Sequence, residues 1–263
     1  MFKPNKQLGQ NFLKNDKIAD DIVAAANITS DDTIIEIGPG TGLLTERLVK
    51  TGAAILAVEK DFDLIKTLKR NVGEPNNLKV IHQDALWFDL ANISPHYKVV
   101  ANIPYNITSP LIRKFIEGEN KPESMVLMVQ KEVAERIAAK PGNSNRGLLT
   151  LIVEFYADTE ILFEVSRREF YPSPQVDSAV IRLTIRNDKH DVEEAMFFKV
   201  VKAGFASKRR QIHNSLAATL RLEKDVMTKI LTEAKIDPMR RGEDLTLEEW
   251  TELTRVVVKK AEN

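Results

Sequence analysis

Between Thr33 and Gln130 the chain alternates short apolar runs with stretches whose apolar residues recur at helical spacing. "TIIEI" (Thr33–Ile37), "AILAVE" (Ala54–Glu59), "LKVIH", "YKVVAN" and "SMVLMVQ" are rich in β-branched and apolar residues. Between and after them Leu43–Gly52, Asp61–Val72, Pro110–Glu117 and Lys131–Ala139 read as amphipathic helices. Strands this short and apolar, alternating with helices, specify a mostly parallel sheet covered on both faces, an α/β fold. Downstream, "LLTLIVEFYA" admits either period and is read as a helix, while "TEILFEV" and "SAVIRLTI" read as strands. Beyond Asn187 the pattern is helical throughout, over Val192–Ala206, Gln211–Leu220, Lys224–Ala234 and Leu247–Lys259. The shift places a predicted boundary near Arg186–Asp191. Residues 1–187 form an α/β domain with a basic leading segment over 1–15, and 188–263 a small all-α domain.

Composition narrows the function classes. No apolar run approaches the roughly 18 residues of a membrane span, and the polar, basic start lacks the apolar centre of a signal peptide. A soluble, cytoplasmic, monomeric protein is expected. The chain has no cysteine and four histidines without ligand spacing (His82, His96, His190, His213), so no metal is expected. Its 38 basic and 38 acidic residues cancel. The cations are nevertheless concentrated: Met1–Asn15 and Ala195–Leu222 each carry lysines or arginines and no acid. Lys208, Arg209 and Arg210 in "SKRRQIH" are candidates for nucleic-acid contact, against the alternative of a solvated helix face.

"EIGPGTG" (Glu36–Gly42) lies where the first strand gives way to a helix. Glycines such as Gly38 and Gly40 let a ligand approach the backbone closely, and the helix start offers free N–H groups. The spacing is G-x-G-x-G, with Leu43 where the dinucleotide fingerprint needs its third glycine. Pro39 removes one N–H from the cradle. A nucleoside with little or no phosphate therefore suits the loop better than a pyrophosphate. Glu59 closes the second strand, where a carboxylate can accept both ribose hydroxyls. Asp84 follows the third, where it can accept from an adenine amino group. S-adenosyl-L-methionine fits this set: an adenosine plus a sulfonium cation that favours acidic surroundings.

"NIPY" (Asn102–Tyr105) leaves the fourth strand beside the same crevice. The residue before a proline is held extended, so Ile103 is expected to turn its carbonyl outward. That carbonyl and the Asn102 side-chain oxygen can accept the two hydrogens of one exocyclic amine. An aromatic amine is a poor nucleophile because its lone pair is drawn into the ring. Two such acceptors favour a tetrahedral nitrogen able to attack a methyl group, and they strengthen as positive charge develops there. Tyr105 supplies a flat face on which the base can stack, worth roughly 1–3 kcal/mol. "FYPSPQV" is a rigid, proline-spaced segment presenting further rings.

"GQNFL" (Gly9–Leu13), "EIGPGTGLLT", "NIPYNITSP", "FYPSPQVDSAVIRL" (Phe170–Leu183) and "FASKRRQIHNSL" (Phe205–Leu216), with the closing "RRGEDLTLEEW", occur in order over nearly the whole chain. Together they resemble the ribosomal RNA adenine dimethyltransferases, and most closely the bacterial small-subunit branch. The resemblance implies a Rossmann-like class I methyltransferase sheet with a small helical C-terminal domain. It places Asn11, the Leu13 backbone, Gly38, Glu59 and Asp84 on the cofactor. Asn102 is implied to hold the target amine, and Phe170 to form the second face of an aromatic sandwich around the adenine. It implies dimethylation of two adjacent adenines near the 3′ end of small-subunit rRNA, within a pre-assembled subunit. The target base must be swung out of its stack. Met1–Lys14 and Lys199–Arg210 would hold the RNA backbone. One departure is Gln175, where the family frequently has lysine. The alternatives are an Erm-type large-subunit dimethyltransferase, which shares the loop and "NIPYNI", and a non-catalytic ribosome-assembly factor on the same fold. A nicotinamide oxidoreductase would need the glycine that Leu43 replaces.

Overall fold

The computed structural model describes residues 10–187 and 190–261. Its contacts divide the chain into two compact units. One comprises the chain up to Ala134 with Ala157–Ile185; the other comprises Glu135–Tyr156 and the chain from Arg186 onward.

The first unit is built on a seven-stranded sheet. Five strands follow the expected runs: β2 (Thr33–Ile37), β3 (Ala54–Glu59), β4 (Leu78–His82), β5 (Tyr97–Asn102) and β6 (Ser124–Gln130). They lie parallel in the order β4-β3-β2-β5-β6, and two antiparallel strands, β9 (Ser178–Ile185) and β7 (Ala157–Val165), extend the sheet beyond β6. Ile34, Ile35, Val99, Val100, Leu127 and Met128 are fully or almost fully buried, which is why these runs are apolar on both faces. Helices α2 (Leu43–Lys50), α3 (Phe62–Val72) and α4 (Thr108–Glu117) link successive strands. Asp61 caps α3 by accepting from the N–H groups of Asp63 and Leu64.

Three elements were not read from the sequence. Helix α1 (Asp16–Ala25), capped by Asn15, buries Ala19 and Ile22. Two-residue strands β1 (Phe12–Leu13) and β8 (Phe170–Tyr171) pair as an antiparallel ribbon, Phe12 opposite Tyr171 and Leu13 opposite Phe170.

The second unit is helical: α6 (Leu148–Tyr156), α7 (Glu194–Phe205), α8 (Ile212–Leu220), α9 (Lys224–Glu233) and α10 (Leu247–Ala261). Helix α5 (Lys131–Ile137) carries the division between the units. The single cut expected at residue 187 therefore differs from the observed division, since α6 groups with the C-terminal helices. The physical reason is aromatic packing. Phe155 and Tyr156 at the end of α6 meet Phe197 and Phe198 of α7, with Phe155–Phe197 centroids 4.5 Å apart. Arg146 is completely buried in this unit, bound to Glu154 at 2.5 Å and to the carbonyls of Ala139 and Leu245.

Candidate active site

In a parallel sheet all strands end at one edge, and here β3 and β5 lie on opposite sides of β2. The connections leaving that edge diverge and open a crevice, the usual ligand position in such sheets. Residues 10–13, residues 36–41 of the glycine loop, Glu59, Asp84 and residues 102–107 all line one cavity there.

Gly38, Gly40 and Gly42 have φ of 66°, 61° and 96°, the left-handed region that glycine adopts without strain. A Cβ on Gly40 would stand 3.2 Å from the Phe12 ring, so the absence of a side chain is what lets the 10–13 segment cross the loop. That segment is fastened at several points. Gln10 donates to Asp61 at 2.9 Å, and the Asn11 carbonyl accepts from Asn102 Nδ2 at 3.3 Å. The Lys14 N–H donates to the Glu169 carbonyl at 2.8 Å.

Glu59 accepts from the Asp61 N–H at 2.9 Å and from the Gly40 N–H at 3.3 Å. Burial pushes its pKa up, and those backbone donors oppose the shift. Asp84 accepts from Lys60 Nζ at 2.8 Å and from the Leu86 N–H at 3.0 Å, and the Lys60 ammonium holds its carboxyl below the ordinary range. At Asn102 the amide nitrogen is spent on Asn11, which leaves Oδ1 as the free acceptor. The N–H of Ile103 donates to the Met128 carbonyl at 3.1 Å, fixing the peptide that precedes Pro104. Tyr105 begins a 3-10 turn, and its hydroxyl meets the buried Ser178 hydroxyl at 2.7 Å. Burial raises the phenol pKa.

One cavity group escaped the sequence reading. Glu36, inside β2, is buried, and both its carboxylate oxygens lack a hydrogen-bond partner. Burial pushes its pKa up to about 8, the nearby Thr45 hydroxyl opposing the shift and the Glu59 carboxylate adding to it. An acid in the middle of "TIIEI" was the available signal.

Phe170 departs from expectation. It is 2 % exposed, packs in the apolar cluster that includes Ile22 and Leu44, and is not among the residues lining the cavity. In β8 it pairs with Leu13, which packs against the same cluster, and its ring is taken up there, so it does not present a second face to the cavity here. In the helical unit Lys208, Arg209 and Arg210 are exposed in the turn between α7 and α8, not on a helix face, and none has a carboxylate partner among the described residues. Most of the basic 1–15 segment, residues 1–9, lies outside the described residues. Among the described residues no group of three His, Cys, Asp or Glu could hold a metal, and no helix is long and apolar enough to cross a membrane.

The family model described as "Ribosomal RNA adenine dimethylase" matches residues 1–254. The chain is 43 % identical to the Ribosomal RNA small subunit methyltransferase A of Clostridioides difficile, over 97 % of this chain and 91 % of that one. To the protein of the same name in Fusobacterium nucleatum it is 44 % identical, over 97 % and 98 %. A dimethyladenosine transferase from Plasmodium falciparum superposes with a TM-score of 0.83 at 28 % identity, covering 95 % of this chain and 98 % of that one. The 23S rRNA methyltransferase ErmE gives 0.75 at 26 % identity, over 94 % and 99 %. The fold is that of these methyltransferases, and the chain belongs to the ribosomal RNA adenine dimethylase family, whose members are rRNA-modifying methyltransferases.

Proposed function

We propose that the chain dimethylates the exocyclic amino nitrogen of two adjacent adenines near the 3′ end of small-subunit rRNA, using S-adenosyl-L-methionine. The observation that carries this reading is the Asn102–Tyr105 turn at the same cavity as Glu36, Glu59 and Asp84. The small-subunit target rests on the relatives named for it, which match the chain almost end to end.

The cavity suits the cofactor on physical grounds. A buried carboxyl without a partner ionises only at a cost unless a cation meets it, and Glu36 is such a group. Glu36 would take the ammonium of the methionine end, with Asn11 and the Leu13 backbone beside it. Glu59 would take the ribose hydroxyls, Asp84 the adenine amine, and Gly38 and Gly40 would allow the close approach. When bound, S-adenosylmethionine supplies an electrophilic methyl group.

The remaining work falls to this chain's own residues. Oδ1 of Asn102 and the Ile103 carbonyl accept the two hydrogens of the target amine and keep its lone pair out of the ring. Their attraction grows as the nitrogen becomes positive, so they stabilise the transition state more than the ground state. Tyr105 stacks on the base, held by Ser178. Lys208, Arg209 and Arg210 contact RNA phosphates.

The test is transfer of labelled methyl from S-adenosylmethionine to purified small and large subunits lacking the modification, with the product mapped by primer extension. Label on two adjacent small-subunit adenines is expected. Label confined to large-subunit RNA would establish the Erm-type alternative instead.

A further inference from the structure

A net charge of zero conceals where the cations are free. Most lysines and arginines of the sheet unit lie against a carboxylate, as Lys60 does on Asp84 and Arg182 on Glu160. Lys14, Arg167 and Arg168 are exposed and have no carboxylate partner among the described residues. The chain brings these three to one place, because the Lys14 N–H donates to the carbonyl of Glu169, the residue after Arg168. Two acids stand at the same place, Glu169, which accepts from the neutral Asn15 Nδ2 at 2.9 Å, and Asp177, which accepts from the Arg167 N–H; neither forms an ion pair with these three cations among the described residues. Two other cations in the same condition, Arg70 and Lys79, lie on α3 and β4.

An exposed ring accompanies the cations. Side chains alternate along a strand, so Phe170 points into the core and Tyr171, beside it in β8, is 61 % exposed. The segment is held in place by its own hydrogen bonds. The Arg167 N–H donates to Asp177 at 2.9 Å, its guanidinium to the Gln175 carbonyl at 3.0 Å, and the Ser173 hydroxyl to the Arg167 carbonyl at 2.8 Å. The other strand of the ribbon, Phe12–Leu13, lines the cavity. One strand thus borders the site and is followed by Lys14, while the other carries the flat ring and is preceded by the turn that holds Arg167 and Arg168.

We propose that this ribbon is an RNA-binding surface in its own right. Lys14, Arg167 and Arg168 take phosphates, and Tyr171 stacks the base next to the adenine held in the cavity. The proposal rests on the reading of that cavity as an rRNA adenine site. Turning one base out deprives its neighbour of a stacking partner, and an exposed ring replaces it without regard to sequence. Guanidinium groups that no internal acid neutralises favour a polyanion. The guanidinium of Arg167 also reaches position 175, where Gln175 brings no charge.

The test uses the full-length protein and the variants Arg168→Gln, Tyr171→Ala, Tyr171→Phe and, as a charge control away from the ribbon, Lys79→Gln. Binding is measured over a salt series to unmodified small subunits and to an rRNA hairpin carrying 2-aminopurine beside the target adenine. Cofactor affinity and methyl transfer are measured on the same preparations. Arg168→Gln should reduce the slope of log K against log salt by about 0.7–0.9, and Lys79→Gln should not. Tyr171→Ala should weaken hairpin binding about 5- to 100-fold and abolish quenching of the 2-aminopurine, whereas Tyr171→Phe keeps both. Cofactor affinity and melting temperature should be unchanged throughout. Equal slopes for Arg168→Gln and Lys79→Gln, or wild-type binding by Tyr171→Ala, would overturn the proposal while wild-type methyl transfer kept the functional reading intact. Failure of the wild type to methylate any rRNA would instead remove that reading. A Tyr171→Ala defect on assembled subunits but not on the hairpin would mean the surface meets a protein, and would also overturn the proposal.

Discussion

Glu36 carries a carboxyl into an apolar strand, where burial raises its pKa to about 8 from its ordinary value of 4.5. The sign of the effect on stability follows directly. Between those values the folded state holds a proton that the unfolded state has released, so the stability contribution is complete below about pH 4.5 and is lost as pH rises toward 8. The melting temperature of the cofactor-free protein should therefore fall further from pH 5 to pH 8 in the wild type than in Glu36→Gln. Parallel falls would contradict it. A cation bound beside Glu36 favours the carboxylate, so cofactor binding at pH 6–7 should release a proton. Calorimetry in two buffers of different ionisation enthalpy detects this as a difference in heat. Glu59, Asp84 and Asn102 were legible because each sits at or just beyond a strand end, where an α/β sheet keeps its ligands. Glu36 was not, because it lies inside the strand, and whether such a side chain is buried at the cavity or exposed depends on packing that the sequence does not show. Phe170 lies in the apolar cluster rather than in the cavity lining, and the pairing of its two-residue strand with β1, on which that position depends, is not shown by sequence period.

The glycine loop and helix α2 form one element with two kinds of glycine constraint. Gly40 makes room for the Phe12 ring, whereas a Cβ on Gly42 would meet Val72 at 2.6 Å and Leu68 at 2.8 Å on α3. Gly42 also has φ of 96°, so Gly42→Ala combines backbone strain with overpacking. It should destabilise the protein by about 1–3 kcal/mol in chemical denaturation. In the helical unit Gly204 of α7 lies against Trp250 of α10, and a Cβ there would stand 2.2 Å from the indole. Gly204→Ala should likewise cost about 1–3 kcal/mol, without changing cofactor affinity. A stable Gly204→Ala protein would mean that α7 and α10 can separate at no cost. The parallel strands and their linking helices were readable because periodicity and apolar runs persist over five or more residues. Strands β1 and β8 were not: each is two residues long and exists only by pairing with the other, far along the chain.

For the molecule as a whole, the balance of 38 basic and 38 acidic residues says little about partners, because most of the sheet unit's cations are spent on neighbouring acids. In the helical unit the exposed turn Lys208–Arg210 has no carboxylate partner among the described residues. Replacing all three with glutamine should lower the slope of log K against log salt for RNA by about 2–3, while S-adenosylmethionine binds as before. An unchanged slope would remove the helical unit's turn from the RNA contact. The change of pattern near residue 187 was visible in the sequence. The grouping of α6 with the later helices was not, because rings contributed by Phe155 and Phe197 meet only after folding. The central claim is that Asn102 activates an adenine amine in the cavity that also binds the cofactor. It is tested most directly by single-turnover methyl transfer to unmodified small subunits, comparing wild type with Asn102→Ala and measuring cofactor affinity on the same preparations. The account predicts dimethyladenosine from the wild type and a rate lower by about 10²–10³-fold in a variant that still binds S-adenosylmethionine. A variant that binds the cofactor and transfers methyl at the wild-type rate would contradict it.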